Sequence, residues 1–154
     1  TCNAVFMFLK KVIFILFFAC VGVNAQSNSD KILGNWLATD NSVSVKVYKV
    51  NNDFRAKILW FDDQLGSKTP MNSQVDGENP NPALRKRKII GMEILEGLQY
   101  NPKKNSWEKG RIYDASSGRH WDSSATIGKD GLLKVRGFWK FKWIGKSITF
   151  KKIK

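Results

Sequence analysis

From Leu133 to Trp143 every second residue is apolar or small. Leu133, Val135, Gly137, Trp139, Phe141 and Trp143 alternate with Lys134, Arg136, Phe138, Lys140 and Lys142. A period of two is a β-strand with one buried and one solvated face, and it does not fit a helix of period 3.6. The same alternation sets Val43, Val45 and Val47 against Ser44, Lys46 and Tyr48. It recurs with Phe54, Ala56, Ile58 and Trp60 against Arg55, Lys57 and Leu59. Further strands are predicted near residues 33–38, 89–96, 107–113, 120–127 and 147–153, about eight in all.

Turn chemistry separates these runs. Asn51-Asn52-Asp53, Asn101-Pro102-Lys103-Lys104-Asn105, Ser116-Ser117-Gly118 and Lys129-Asp130-Gly131 each carry residues that reverse a chain cheaply. Short, regular connections imply an antiparallel meander, closed into a barrel or, as the second choice, folded as a small β-sandwich. The exception is a long loop at residues 62–88, with Pro70, Pro80 and Pro82. A loop of that length in a compact domain is usually functional or disordered. Here it is expected to be an ordered excursion across one end of the barrel, with a short helical turn near Pro82 to Lys86.

The N-terminal segment has a different grammar. Met7-Phe8-Leu9-Lys10-Lys11 reads as a basic n-region, Val12 to Ala19 as an apolar h-region, and Val23-Asn24-Ala25 as a small-residue cleavage site. The apolar run is about 12 residues, short of the roughly 20 that span a bilayer. Residues 1–25 are therefore expected to be a signal peptide, and residues 26–154 a single exported barrel domain in the periplasm or beyond. After cleavage the chain is not expected to be transmembrane. A lipoprotein anchored at Cys20 is the weaker alternative, because Phe17-Phe18-Ala19 is a poor lipobox.

Both cysteines, Cys2 and Cys20, precede that cleavage point. The exported domain must then be held by its core without disulfides. Of 26 Lys and Arg only Lys10 and Lys11 are lost, so the domain stays strongly basic against 13 Asp and Glu. In a cytosolic chain this would suggest nucleic acid. For an exported one no nucleic-acid partner is expected, and the relevant anions are envelope lipids and acidic glycans. Solubility alone also accounts for such charge.

Several blocks combine into a resemblance: Gly34-Asn35-Trp36; Asn79-Pro80-Asn81-Pro82-Ala83-Leu84-Arg85 with Arg87 and Gly91; Trp107 with Gly110-Arg111-Ile112-Tyr113-Asp114; Gly118; and Asp130 to Phe138. The set resembles the bacterial secreted family catalogued as domain of unknown function 2147, over almost all of the exported chain. That family is similar to the calycins, which implies an eight-stranded lipocalin-like barrel. Gly34-x-Trp36 is similar to the lipocalin opening motif, whose Trp is typically covered by a basic residue of the last strand. The chain departs from the family pattern near its end, where Lys146, Phe150 and Lys152 stand in place of Arg, Trp and Arg. Lysine stacks on an indole less well than arginine. The resemblance implies no established activity, so no catalytic residue follows from it.

Candidate chemistry is sparse. His120 is the single histidine, with Asp114, Ser116, Ser117, Asp122 and Ser123 nearby in sequence. Strand alternation puts His120 and Asp122 on one face, but the serines sit in a turn where Ser is ordinary. A hydrolase using His120 is the minor alternative, and the protein is read as not an enzyme. No metal or other cofactor is expected: one His and no Cys cannot make an ordinary zinc site. Asn72-x-Gln74-x-Asp76-Gly77 begins like a calcium loop, yet Ala83 stands where the bidentate Glu belongs. An irregular calcium site using Asp62, Asp63, Asp76 and Glu78 is the variant of that idea.

Two constellations carry the expected function. Trp36, Trp60, Trp107, Trp121, Trp139, Phe141 and Trp143 either fill the barrel or in part line a cavity open at one end. Arg85-Lys86-Arg87-Lys88 offers guanidinium groups suited to a phosphate or carboxylate. The reading is an exported β-barrel that binds an amphipathic or apolar small molecule, with Trp36, Trp60, Trp139 and Trp143 as contact area and Arg85 and Arg87 at an anionic head group. The rival is an envelope-associated interaction protein that meets an anionic lipid or glycan through Lys134, Arg136, Lys140 and Lys142 on its outer face.

Overall fold

A computed structural model describes residues 27–65, 69–138 and 145–154. The expected signal peptide and Cys20 lie outside the described residues, as do Trp139, Lys140, Lys142 and Trp143. Eight strands run β1 Gly34–Ala38, β2 Val43–Val50, β3 Asp53–Phe61, β4 Glu93–Asn101, β5 Ser106–Asp114, β6 Arg119–Ile127, β7 Leu133–Phe138 and β8 Gly145–Ile153. Each pairs antiparallel with the next, and β8 returns to β1, so the sheet is a closed barrel with no free edge. The anticipated turns do connect the strands. Asn51 and Asn105 take φ of 54° and 49° there, the left-handed region that Asn tolerates.

Three local readings change. The apolar run Ile89-Ile90-Gly91-Met92 does not begin β4. Its backbone turns at Gly91, where φ is +78°, and the Gly91 and Ile58 backbones bond across that turn. Trp60 alternates with Phe54, Ala56 and Ile58 in sequence, but the β2–β3 register slips between Ser44/Val45, pairing Val45 with Ile58 and Ser44 with Trp60. One extra residue on β3 reverses the facing of the residues after it, and Trp60 is 41% exposed while Ile58 is buried. Phe138, read as an outer-face residue among charges, is buried, with the Gly145 backbone packed closely against it.

A 3-10 turn at Asn28–Ile32 plugs one end of the barrel. Ile32 enters the core, the Trp36 indole N–H donates to the Ile32 carbonyl at 2.8 Å, and the Trp107 indole donates to the Ser29 carbonyl at 3.1 Å. Phe54 meets Trp107 edge-on at 6.4 Å, and Leu98, Leu133 and Phe150 fill in around them. Lys152 covers Trp36, with its ammonium 5.3 Å from the ring and bonded to the Lys31 carbonyl at 3.2 Å. Lysine thus supplies the closing contact at the position where the family pattern has arginine.

Candidate functional site

Among the described residues, inward-facing positions toward the opposite end are less buried. Cross-strand partners share a face of the sheet. Buried Leu95 pairs with Ile112 and then Trp121, and buried Ala125 pairs with Val135 and then Ile148. These rows face inward. Along them burial decays: Ile112, Trp121 and Val135 are half-buried, and Ile148 is 44% exposed. Phe150 pairs with Ala38, the last residue of β1, so Ile148 lies past the end of that strand, at the rim. Of the tryptophans proposed as contact area, Trp36 is 1% exposed at the plugged end and Trp60 is on the outside. Trp121 is the described tryptophan on these half-buried inward rows.

The second half of the long loop forms another concavity. Residues 74–89 fold back on themselves through a Val75–Lys88 bridge and bonds from Asp76 to Arg87 and from Ile89 to Gln74. Asn79 and Asn81 accept from the backbone N–H groups of Asn81 and Ala83, and the second of these bonds caps the 3-10 turn Pro82–Leu84. This half of the loop lies with its Glu78 main chain close against Gly118. It docks beside the β5–β6 turn and on the outward side of β4–β6, where Tyr113 faces it.

Asp76 is the centre of that docking. Its side chain is fully buried, Tyr113 donates to Oδ1 at 2.7 Å, and Asn79 and Arg87 donate to Oδ2 at 2.7 and 2.8 Å. Burial alone would raise the Asp76 pKa, but the bonds from Asn79, Tyr113 and Arg87 outweigh it and hold the carboxyl below its ordinary value. Burial, and then the bond to Asp76, push the Tyr113 phenol up to about 12. Arg85 donates to the Asn79 carbonyl at 2.8 Å. Arg85 and Arg87 therefore hold the loop, and neither projects into the barrel interior.

Between this loop and β4–β6 is a cleft of about 370 Å³ with Leu84, Arg87, Ile94, Arg111, Tyr113 and His120 among its walls. His120 is exposed and its ring lies 5.0 Å from that of Tyr113. Ser116 and Ser117 both donate to Asp114, at 2.6 and 2.7 Å, as turn residues do. On the outer face of β7, Lys134 is exposed and Arg136 donates to Ser147 at 3.2 Å. In the sequence Asp76 stood out only as a piece of a calcium loop, and Tyr113 had no role. The available signal was an aromatic residue at an outward strand position, beside a loop too long to be a connection.

A family model described as "Uncharacterized protein conserved in bacteria (DUF2147)" matches residues 34–152. The chain belongs to the DUF2147 family. The matched span runs from the first residue of β1 to Lys152, so it takes in the pair of strands that close the barrel. Among solved structures, the DUF2147 chain is similar to protein HP1028 from the human pathogen Helicobacter pylori, described as belonging to the lipocalin family. The identity is 25%, the TM-score 0.66, and the match covers 80% of this chain and 83% of that one. No curated protein sequence matches. A lipocalin-like barrel is suited to holding a small molecule, and it is more often a binding fold than a catalytic one.

Proposed function

We propose that this DUF2147 chain is an exported binding protein that holds an amphipathic or apolar small molecule in the less filled end of its barrel. The observation that supports this reading most is the gradient of burial along the inward-facing rows, from 1% exposed at Ala125 to 44% at Ile148. A barrel filled throughout would bury its inward positions evenly. In this reading the barrel is a cup plugged at one end, and an eight-stranded barrel has room for one small ligand. Ile112, Val135 and Ile148 would supply apolar walls and Trp121 a wide, stiff contact surface.

Mass spectrometry of small molecules that co-purify with the protein from its native envelope, joined to a tryptophan-fluorescence titration with fatty acids, tests the reading. A saturable fluorescence change, weakened at least tenfold by Trp121→Ala, is expected. Absence of any co-purifying molecule together with no saturable change would overturn it.

A further inference from the structure

The cleft outside the barrel has an imbalance of uncommitted groups. Arg111 faces Glu96 and Asp122 across its neighbouring strands, yet makes no hydrogen bond or ion pair among the described residues. The His120 ring meets Tyr113 but forms no hydrogen bond among the described residues. Arg87 gives Asp76 one N–H from Nη2, and its side chain remains 39% exposed. A guanidinium has five N–H donors, so most of this one stays available. Against these, Glu93 is occupied by Tyr48 and Arg55, which leaves Glu96 as the uncommitted carboxylate of the lining. The buried Asp76 is already satisfied by three donors, so it fixes Arg87 in place without competing for a ligand. Leu84, 38% exposed, and Ile94 add an apolar wall.

We infer that this cleft is a second binding site, separate from the barrel interior, for a small organic anion. The anionic group, a carboxylate or a phosphate monoester, meets Arg111, the free edge of Arg87 and the ring N–H of His120. Its apolar body lies against Leu84 and Ile94. Guanidinium groups recognise both anions in the same bidentate way, and a volume of about 370 Å³ is enough for a small molecule. The site does not depend on the barrel being occupied, so it can fail or hold independently of the function proposed above.

His120 is the single histidine, so its imidazole NMR signals report this cleft alone. The exported protein is titrated separately with benzoate, phenyl phosphate, benzyl alcohol and benzylamine. Saturable His120 shifts are expected with one or both anions, and whichever anion binds tighter identifies the ligand chemistry. Binding should weaken at least tenfold in Arg111→Gln, an exposed position whose loss leaves no buried group unpaired, and should be unchanged in Lys134→Gln on the outer face of β7. Shifts that never saturate, an equal response to benzyl alcohol or benzylamine, or binding indifferent to Arg111→Gln would overturn the site.

Discussion

The Tyr113 hydroxyl donates to the Asp76 carboxylate at 2.7 Å, across 37 positions of sequence, and so fastens the long loop to the barrel wall. Both groups are buried, so neither can turn to water for a replacement partner. Tyr113→Phe keeps the ring and deletes the donor, leaving the Asp76 Oδ1 unsatisfied. A destabilisation of about 1–3 kcal/mol is expected in urea unfolding. Hydrogen exchange should accelerate in residues 74–88 more than in the strands. Uniform loosening of the whole barrel would contradict this assignment of the bond.

The same pair makes stability depend on pH at both extremes. Asp76 is held below its ordinary pKa when folded, so its contribution is complete above about pH 4, the unfolded value. It is lost as pH falls through the lower folded value. Tyr113 is raised to about 12, so its contribution is complete below about pH 10 and is lost as pH climbs toward 12. Tyr48, pushed to about 12 by burial and then by its bond to Glu93, behaves in the same way. Two of the three tyrosines should therefore ionise late in an alkaline absorbance titration, and Tyr113→Phe should remove one of those two.

Gly118 is where the β5–β6 turn meets the loop. Its φ is +66°, and a Cβ there would sit 2.0 Å from the Glu78 carbonyl oxygen. Gly118→Ala meets a strained backbone and a collision with main chain, neither of which a side-chain rotation relieves. A loss of more than about 1 kcal/mol is expected, with loop residues 76–80 displaced. A thermal melt matching the parent would argue that the loop does not dock here.

Lys152 over Trp36 makes a testable substitution. Lys152→Met keeps the stem and removes the charge and its bond to the Lys31 carbonyl, at an expected cost of about 0.5–1 kcal/mol. Lys152→Arg should match or exceed the parent in melting temperature, because guanidinium stacks better on an indole. An arginine variant less stable than the methionine one would mean that the ammonium's fit at the Lys31 carbonyl matters more than the stacking.

Export has its own measurement. The exported form is expected to begin at Gln26 and to carry no thiol, since Cys2 and Cys20 both precede it. Intact mass of the periplasmic fraction reads this directly. A mass that includes residues 12–25, or acyl chains on Cys20, would contradict the assignment.

The barrel was legible because its signals are local. Leu133, Val135 and Gly137 alternate with Lys134 and Arg136, and Asn51 and Asn105 mark the turns, so periodicity and turn residues alone placed most strands. The errors fell where a single residue reverses a face. Leu59 adds one residue to β3 and puts Trp60 outside, and Gly91 turns a run that looks like strand into a bend. Arg85 and Arg87 drew notice as charges, but their partners, the Asn79 carbonyl and Asp76, could not be read from a loop with no period.

The sequence by itself determined a basic, antiparallel β-domain of about eight strands, because side-chain alternation, turn propensity and composition are properties of neighbours in the chain. Only the tertiary structure decided which groups meet. Asp76 reaches Tyr113 because the barrel brings β5 beneath the loop, and Arg111, His120 and Arg87 share one cleft because antiparallel pairing and loop docking put separate segments side by side. A buried carboxylate needs its donors in three dimensions, and nothing in the spacing of Asp76, Asn79, Arg87 and Tyr113 encodes that closeness.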